Sequence, residues 1–288
     1  MAEPVRGHPG ENTMKRRFSG ILIAVLFLAG VGILSYPHVS DFFYQRRWEA
    51  EKEVYGADTW GLSSEECAAL WTAAEAYNRR LAEKTEPFSL TEEERAEAAD
   101  HLNPLGIGKM GYVTIPKIRV DIPIYQGTEE KQLQAGAGWW IGTSLPTGGE
   151  STHCVLTAHN GLAKARLFTD LDRLVTGDRF YLTVLDRVLT YEVDQIQVVE
   201  PEEREALLIV PGEDLVTLYT CTPYGVNTHR LLVRGHRVET APEMAGEGAG
   251  GFSWWWSLPA VLLLAGLWVF LRIFCSKRRQ GKRGEGRP

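Results

Sequence analysis

Val216-Thr217-Leu218-Tyr219-Thr220-Cys221, followed by His229-Arg230-Leu231-Leu232-Val233, decides how this chain folds and what it carries. Both runs are short and apolar, with Pro223, Gly225 and Asn227 between them, and they read as neighbouring β-strands. A thiol that ends one buried strand, with a guanidinium on the next, places a nucleophile beside a fixed positive charge. His159, in Leu156-Thr157-Ala158-His159-Asn160-Gly161, ends another such run and completes a candidate set of three.

Similar runs recur around these three. The candidates are Gly111-Ile115, Ile122-Tyr125, Thr152-Thr157, Phe180-Val184, Val188-Val199, Leu207-Ile209, Leu215-Thr220 and His229-Val238, separated by Gly, Pro and Asp. About eight strands with no regular helix between them predict an antiparallel barrel or sandwich over 108–239. A short helix over Lys164–Asp172 is expected to cover one end. Upstream, 41–80 reads as helical, with Ser63 as cap and Glu65 and Glu66 in the first turn. Segment 84–103 is polar and acidic, with one short helix over Thr91–Ala99 whose Glu92-Glu93-Glu94 start faces solvent. Residues 36–107 thus form a helical segment ahead of the barrel.

The ends of the 288-residue chain differ in kind. Residues 18–35 and 253–274 are apolar and nearly uncharged, each close to the ~20 residues a membrane helix needs. Lys15, Arg16 and Arg17 precede the first, and Lys277, Arg278, Arg279, Lys282 and Arg283 follow the second. Basic flanks favour the cytoplasm, so tails 1–17 and 275–288 are expected inside and the middle outside. Trp254-Trp255-Trp256 suits the outer interface, and 240–252 reads as a linker. No small-residue cleavage pair follows the first span, which favours its retention as an anchor.

The net charge of −6 hides a split. Eleven of the 31 Lys and Arg (four before Phe18 and seven from Arg272 onward) but only three of the 37 Asp and Glu lie toward the two ends, leaving 20 bases against 34 acids, about −14, in the middle. That excludes nucleic acid as a natural partner and suits a basic or amine-bearing one. The cysteines, 67, 154, 221 and 275, form no C-x-x-C pair and make a thin disulfide framework for an exported domain. Cys154 reads as core. His153, Cys154 and His159 are not expected to bind metal, because adjacent strand residues 153 and 154 point to opposite faces. His229 and His236 read as partly exposed strand residues, and Arg234 and Arg237 as facing solvent rather than substrate.

The three candidates divide the labour of acyl transfer. Cysteine attacks as the thiolate. Histidine titrates near neutrality and can protonate a departing amine. Arginine stays charged and offers fixed donors to an oxyanion. No carboxylate stands out in the sequence to orient His159, so a papain-like arrangement is not the natural reading.

Thr217-Leu218-Tyr219-Thr220-Cys221 with Arg230 resembles the T-L-x-T-C signature and arginine of sortases. Cys221–Gly235, Gly111–Ile118 and Gly142-Thr143-Ser144-Leu145-Pro146 resemble the class C, pilus-assembling branch. The resemblance implies a closed sortase β-barrel of about eight strands, mainly β, flanked by two transmembrane helices. It implies a cysteine transpeptidase that needs no cofactor. Cys221 would cleave an LPXTG-like sorting signal between Thr and Gly, and His159 would act as general acid and base. Arg230 would steady the oxyanion, and a lysine amine of a pilin would take the acyl group. Glu86-Pro87-Phe88 resembles the Asp-Pro-aromatic lid of that branch, with the acid toward the arginine and the ring over the thiol. Ala158 and Asn160 depart from the usual T-G-H-basic pattern. A thiol hydrolase, a wall-anchoring sortase and a silent pilin-binding scaffold remain as alternatives.

Overall fold

The computed structural model describes residues 26–27, 29–33, 35–36, 39, 61–86, 88–104, 106–162 and 165–240. The chain divides into two units, one of 1–35 with 248–288, the other of 36–247. The expected span at 253–274, both tails, the linker beyond 240 and the helix expected over 41–60 lie outside the described residues, as do Pro87 and Cys275. The described positions within 18–35 are helical. Among the described residues no helix is long and apolar enough to cross a membrane.

Within the second unit, helix α1 (Ser64–Ala82) starts at a capping box: Ser63 Oγ accepts from Glu66 N, and Glu66 Oε2 accepts from Ser63 N at 2.7 Å. It turns Cys67, Trp71, Ala74, Tyr77 and Leu81 inward. Buried Asn78 ties it to the barrel, donating to the Leu145 carbonyl at 3.2 Å and accepting from the Leu145 N–H at 2.7 Å. Helix α2 (Glu92–Asp100) follows, capped by Thr91 and Glu94 in the same reciprocal way.

The barrel comprises β1 (Lys109–Ile115), β2 (Val120–Gln126), helix α3 (Glu130–Ala135), β3 (Ala137–Trp139), β4 (Thr152–Thr157), β5 (Arg179–Val184), β6 (Arg187–Val199), β7 (Asp214–Thr222) and β8 (His229–Val238). Strands close in the order β1-β2-β3-β4-β7-β8-β6-β5, and β1 pairs with β5 to remove both edges. Seven of the eight expected strands are present, two with the expected ends. Leu207–Ile209 is not a strand: a 3-10 turn, Glu205–Leu207, drops Leu207 into the surface instead. The eighth strand is β3, three residues of Ala-Gly-Trp too short to show alternation. No α-helix occupies the described part of 164–172, which holds turns and a 3-10 helix, Leu171–Arg173.

The expectation of an antiparallel sheet needs correction. β2 pairs with β3 in parallel through α3, and β4 pairs with β7 in parallel through a crossover that carries the β5–β6 hairpin. The parallel pair brings the C-terminal ends of β4 and β7 to one end of the barrel. β8, antiparallel to β7, begins at that end.

Strand alternation divides the side chains between two faces. Cys154, Leu156, Val216, Leu218, Leu231 and Val233 belong to the barrel core with Trp139 and Phe180. Val155, Tyr219 and Leu232 belong to a separate outer cluster with Leu207. Cys67 and Cys154 are buried and free, so the described cysteines form no disulfide. Arg234 is not simply solvated. It grips Asp194, at the β6 register shift, with two hydrogen bonds of 3.0 and 2.8 Å.

Candidate active site

Cys221 and Arg230 are direct cross-strand partners. Cys221 shares the outer face with Tyr219, two residues back on β7, while Arg230 shares it with Leu232 on β8. The β4–β7 ladder pairs Thr157 with Tyr219 and continues as Ala158 N donates to the Tyr219 carbonyl at 3.2 Å. His159 is the next residue, so all three predicted groups meet at one end of β4, β7 and β8. The cleft lined by Glu75, Asn78, Glu83, Lys84, Gly148–Thr152, Leu208 and Pro211, about 760 Å³, lies by the start of β4 and holds none of them.

The loop that carries His159 is anchored from several sides. Thr220 Oγ1 donates to the Ala158 carbonyl at 2.7 Å, Phe168 N–H to the His159 carbonyl at 3.2 Å, and Asn160 Nδ2 to the Cys221 carbonyl at 2.7 Å. Asn160, where a basic residue was the expected pattern, therefore ties the histidine loop to the nucleophile's own strand. Gly161 has φ +84°, and a Cβ there would stand 3.0 Å from Tyr224 Cε2. The positive φ favours glycine, and any larger residue would also have to displace the exposed Tyr224 ring.

Cys221 is partly buried and unpaired. Arg230 Nη1 donates to the carbonyls of Asn227 at 3.0 Å and His229 at 2.9 Å, with Asn227 in the left-handed region at φ 62°. The guanidinium is thereby braced at the mouth of the β7–β8 turn. Burial pushes the Tyr219 phenol up, while the charges of Arg230 and Arg204 oppose that and Cys221 adds to it.

The residues of the predicted lid make contacts that the sequence did not indicate. Phe88 packs on Trp140, centroids 6.4 Å apart, and Trp140 meets Tyr219 edge-on at 5.3 Å. Arg204 lies over both Phe88, at 5.8 Å, and Trp140, at 5.6 Å. Glu86 does not pair with Arg230. Its backbone carbonyl accepts from Ser89 N–H at 3.1 Å, and among the described residues its carboxylate has no ion-pair partner. Trp140, Tyr219 and Arg204 were not singled out from sequence. Tyr219 carried a signal, since it lies two residues before Cys221 on the same strand.

His153 stands apart from the site. It is fully buried under the segment before β7, with Nδ1 donating to the Leu208 carbonyl at 2.8 Å and Nε2 accepting from Thr217 Oγ1 at 2.7 Å. That tautomer follows from chemistry, since a carbonyl only accepts. Burial holds its pKa down at about 4. The unfolded chain takes the proton near 6.5, so this residue's stabilisation is full above that pH and drains as pH falls toward 4, by about 3 kcal/mol. We expect the stability gap between wild type and His153→Gln, from urea unfolding, to narrow between pH 7 and pH 4. A constant gap would contradict a neutral His153.

Comparison with known proteins agrees with this geometry. Residues 113–238 match the sortase domain. Sortase C1 of Streptococcus agalactiae is 45% identical, with a TM-score of 0.61 over 62% of this chain and 93% of that one. Sortase C of Streptococcus pneumoniae is 47% identical, with a TM-score of 0.57 over 67% of this chain and 99% of that one. Sortase A of Streptococcus agalactiae is 30% identical over 135 residues, 46% of this chain and 53% of that protein. The chain thus spans about half the length of that curated relative. With Cys221 and Arg230 in register, His159 at the adjoining strand end and a closed eight-stranded barrel around them, the chain belongs to the sortase family, whose members are transpeptidases.

Proposed function

We propose that this sortase is a pilus-polymerising cysteine transpeptidase. The observation that carries the reading is the register of Cys221 against Arg230 beside the end of β4. The Cys221 thiolate attacks the Thr carbonyl of an LPXTG-like signal, and Arg230 donates to the oxygen as it becomes negative. His159 protonates the departing Gly amine, leaving a thioester on Cys221. A pilin lysine amine then attacks that carbonyl, His159 takes its proton, and the Cys221 thiolate is released. An acidic outer domain favours the approach of a lysine-bearing partner. The pilin assignment is supported by the solved Streptococcus pneumoniae relative, which is described in terms of pilin substrate specificity. An LPXTG peptide incubated with a lysine-bearing acceptor tests it. Ligation supports transpeptidation, hydrolysis alone favours a thiol hydrolase, and neither product favours a binding scaffold.

Glu86-Pro87-Phe88 serves in this reading as a lid. Phe88 sits in the outer cluster with Val155, Tyr219 and Leu232, on the strand face that also bears Cys221, so a substrate bound on that face meets the ring. Aromatic pairing contributes about 0.5–1.5 kcal/mol beyond burial, so its loss raises the open population by roughly two- to tenfold. Phe88→Ala should speed labelling of Cys221 by a thiol reagent by that factor. An unchanged rate would dismiss the lid.

The proposed setting is the cell membrane, with residues 18–35 and 253–274 as two spans, lipid around them and the barrel outside. A membrane-impermeant maleimide on intact cells should then reach Cys221 and spare Cys275. The reverse pattern would overturn this orientation.

A further inference from the structure

His159 has a carboxylate neighbour that the sequence did not disclose. Glu130, the first residue of α3, holds Oε2 3.4 Å from His159 Nε2. Its other oxygen, Oε1, accepts from Gln134 Nε2 at 2.7 Å one turn along the helix, so the carboxylate is held at two points. Nε2 is itself shut off from solvent and has no aligned hydrogen-bond partner, although the ring as a whole is 30% exposed. A buried ring nitrogen beside an acid is satisfied by a small ring rotation that turns its N–H to the carboxylate. The backbone on either side is already fixed, by Phe168 N–H on the His159 carbonyl and by Asn160 on Cys221. The ring is therefore the free part of the unit.

We propose that Glu130 is the positioning residue for His159: it accepts the Nε2–H, fixes the tautomer, and leaves Nδ1 to exchange protons with the thiol and the amines. The carboxylate also steadies the ring's positive charge while it carries the proton. Glu130 touches no reacting atom and acts through the histidine alone. Its side chain is 66% exposed, so solvent screens the pair and the effect is modest. In catalysis this rests on the transpeptidase reading, where Glu130→Ala is expected to lower kcat about fivefold with KM unchanged. Glu130→Asp, which keeps the charge, should recover part of the loss.

The test that separates the two readings is nitrogen-15 NMR of the His159 ring in the full chain, wild type against Glu130→Ala and Glu130→Asp, with no substrate present. Melting temperatures should agree, because the altered side chain is exposed. The proposal predicts a protonated Nε2 in wild type whose resonance moves in Glu130→Ala and returns partway in Glu130→Asp. Ring resonances indifferent to Glu130 would overturn it, as would a full kcat in Glu130→Ala. If wild type ligates no peptide, the transpeptidase reading fails and the ring resonances still decide the role of Glu130.

Discussion

Cys221→Ala is expected to remove ligation of an LPXTG peptide to an amine altogether, a loss of at least about 10⁴-fold. No other described thiol can take over. Cys67 and Cys154 are buried, and burial pushes both thiols up in pKa, away from the nucleophilic thiolate. The substitution should leave folding intact, because Cys221 is only partly buried and its strand is held by backbone pairing to β4 and β8. A Cys221→Ala protein with a normal melting temperature that still ligates would end the covalent mechanism.

Arg230→Ala comes next in size. Loss of one charged donor to a developing oxyanion costs about 10²–10³-fold in kcat. The same guanidinium braces the carbonyls of Asn227 and His229, so removing it also loosens the β7–β8 turn. Arg230→Lys separates the two roles. A lysine keeps the charge but not the planar fork, and should recover about tenfold at most. Labelling of Cys221 by a small thiol reagent serves as the control, since it requires the thiol but no oxyanion. Near-normal labelling with slow ligation supports an oxyanion role. Equal losses in both would assign Arg230 to scaffolding alone.

The sequence showed the strands with a residue or two of blur, because β-branched runs bounded by Gly and Pro leave a clear period-2 trace. β4 and β8 appear with their expected ends. Strand direction was not legible. Thr152–Thr157 and Val216–Cys221 look alike whichever way they run, and only the long crossover through β5 and β6 makes them parallel. That direction matters to function: an antiparallel β4–β7 pair would send His159 and Cys221 to opposite ends. Leu207–Ile209 misled because three apolar residues suit a strand and equally a 3-10 turn that pins Leu207.

At the site, Cys221, His159 and Arg230 were readable because each closes or opens an apolar run. Their supports were not. Arg204 reaches Phe88 and Trp140 from beyond β6, and Glu130 reaches His159 from a six-residue helix with no strong pattern of its own. Such contacts join segments far apart in sequence, so only the closed barrel reveals them.

The most direct measurement is the intact mass of the protein mixed with an LPXTG peptide, quenched in acid and mapped by fragmentation. A single acyl adduct, cut after Thr, carried on Cys221 and lost when a lysine-bearing acceptor is added, is the predicted result. Peptide cleavage by the wild type with no adduct on Cys221, or with the adduct on another residue, would contradict the account.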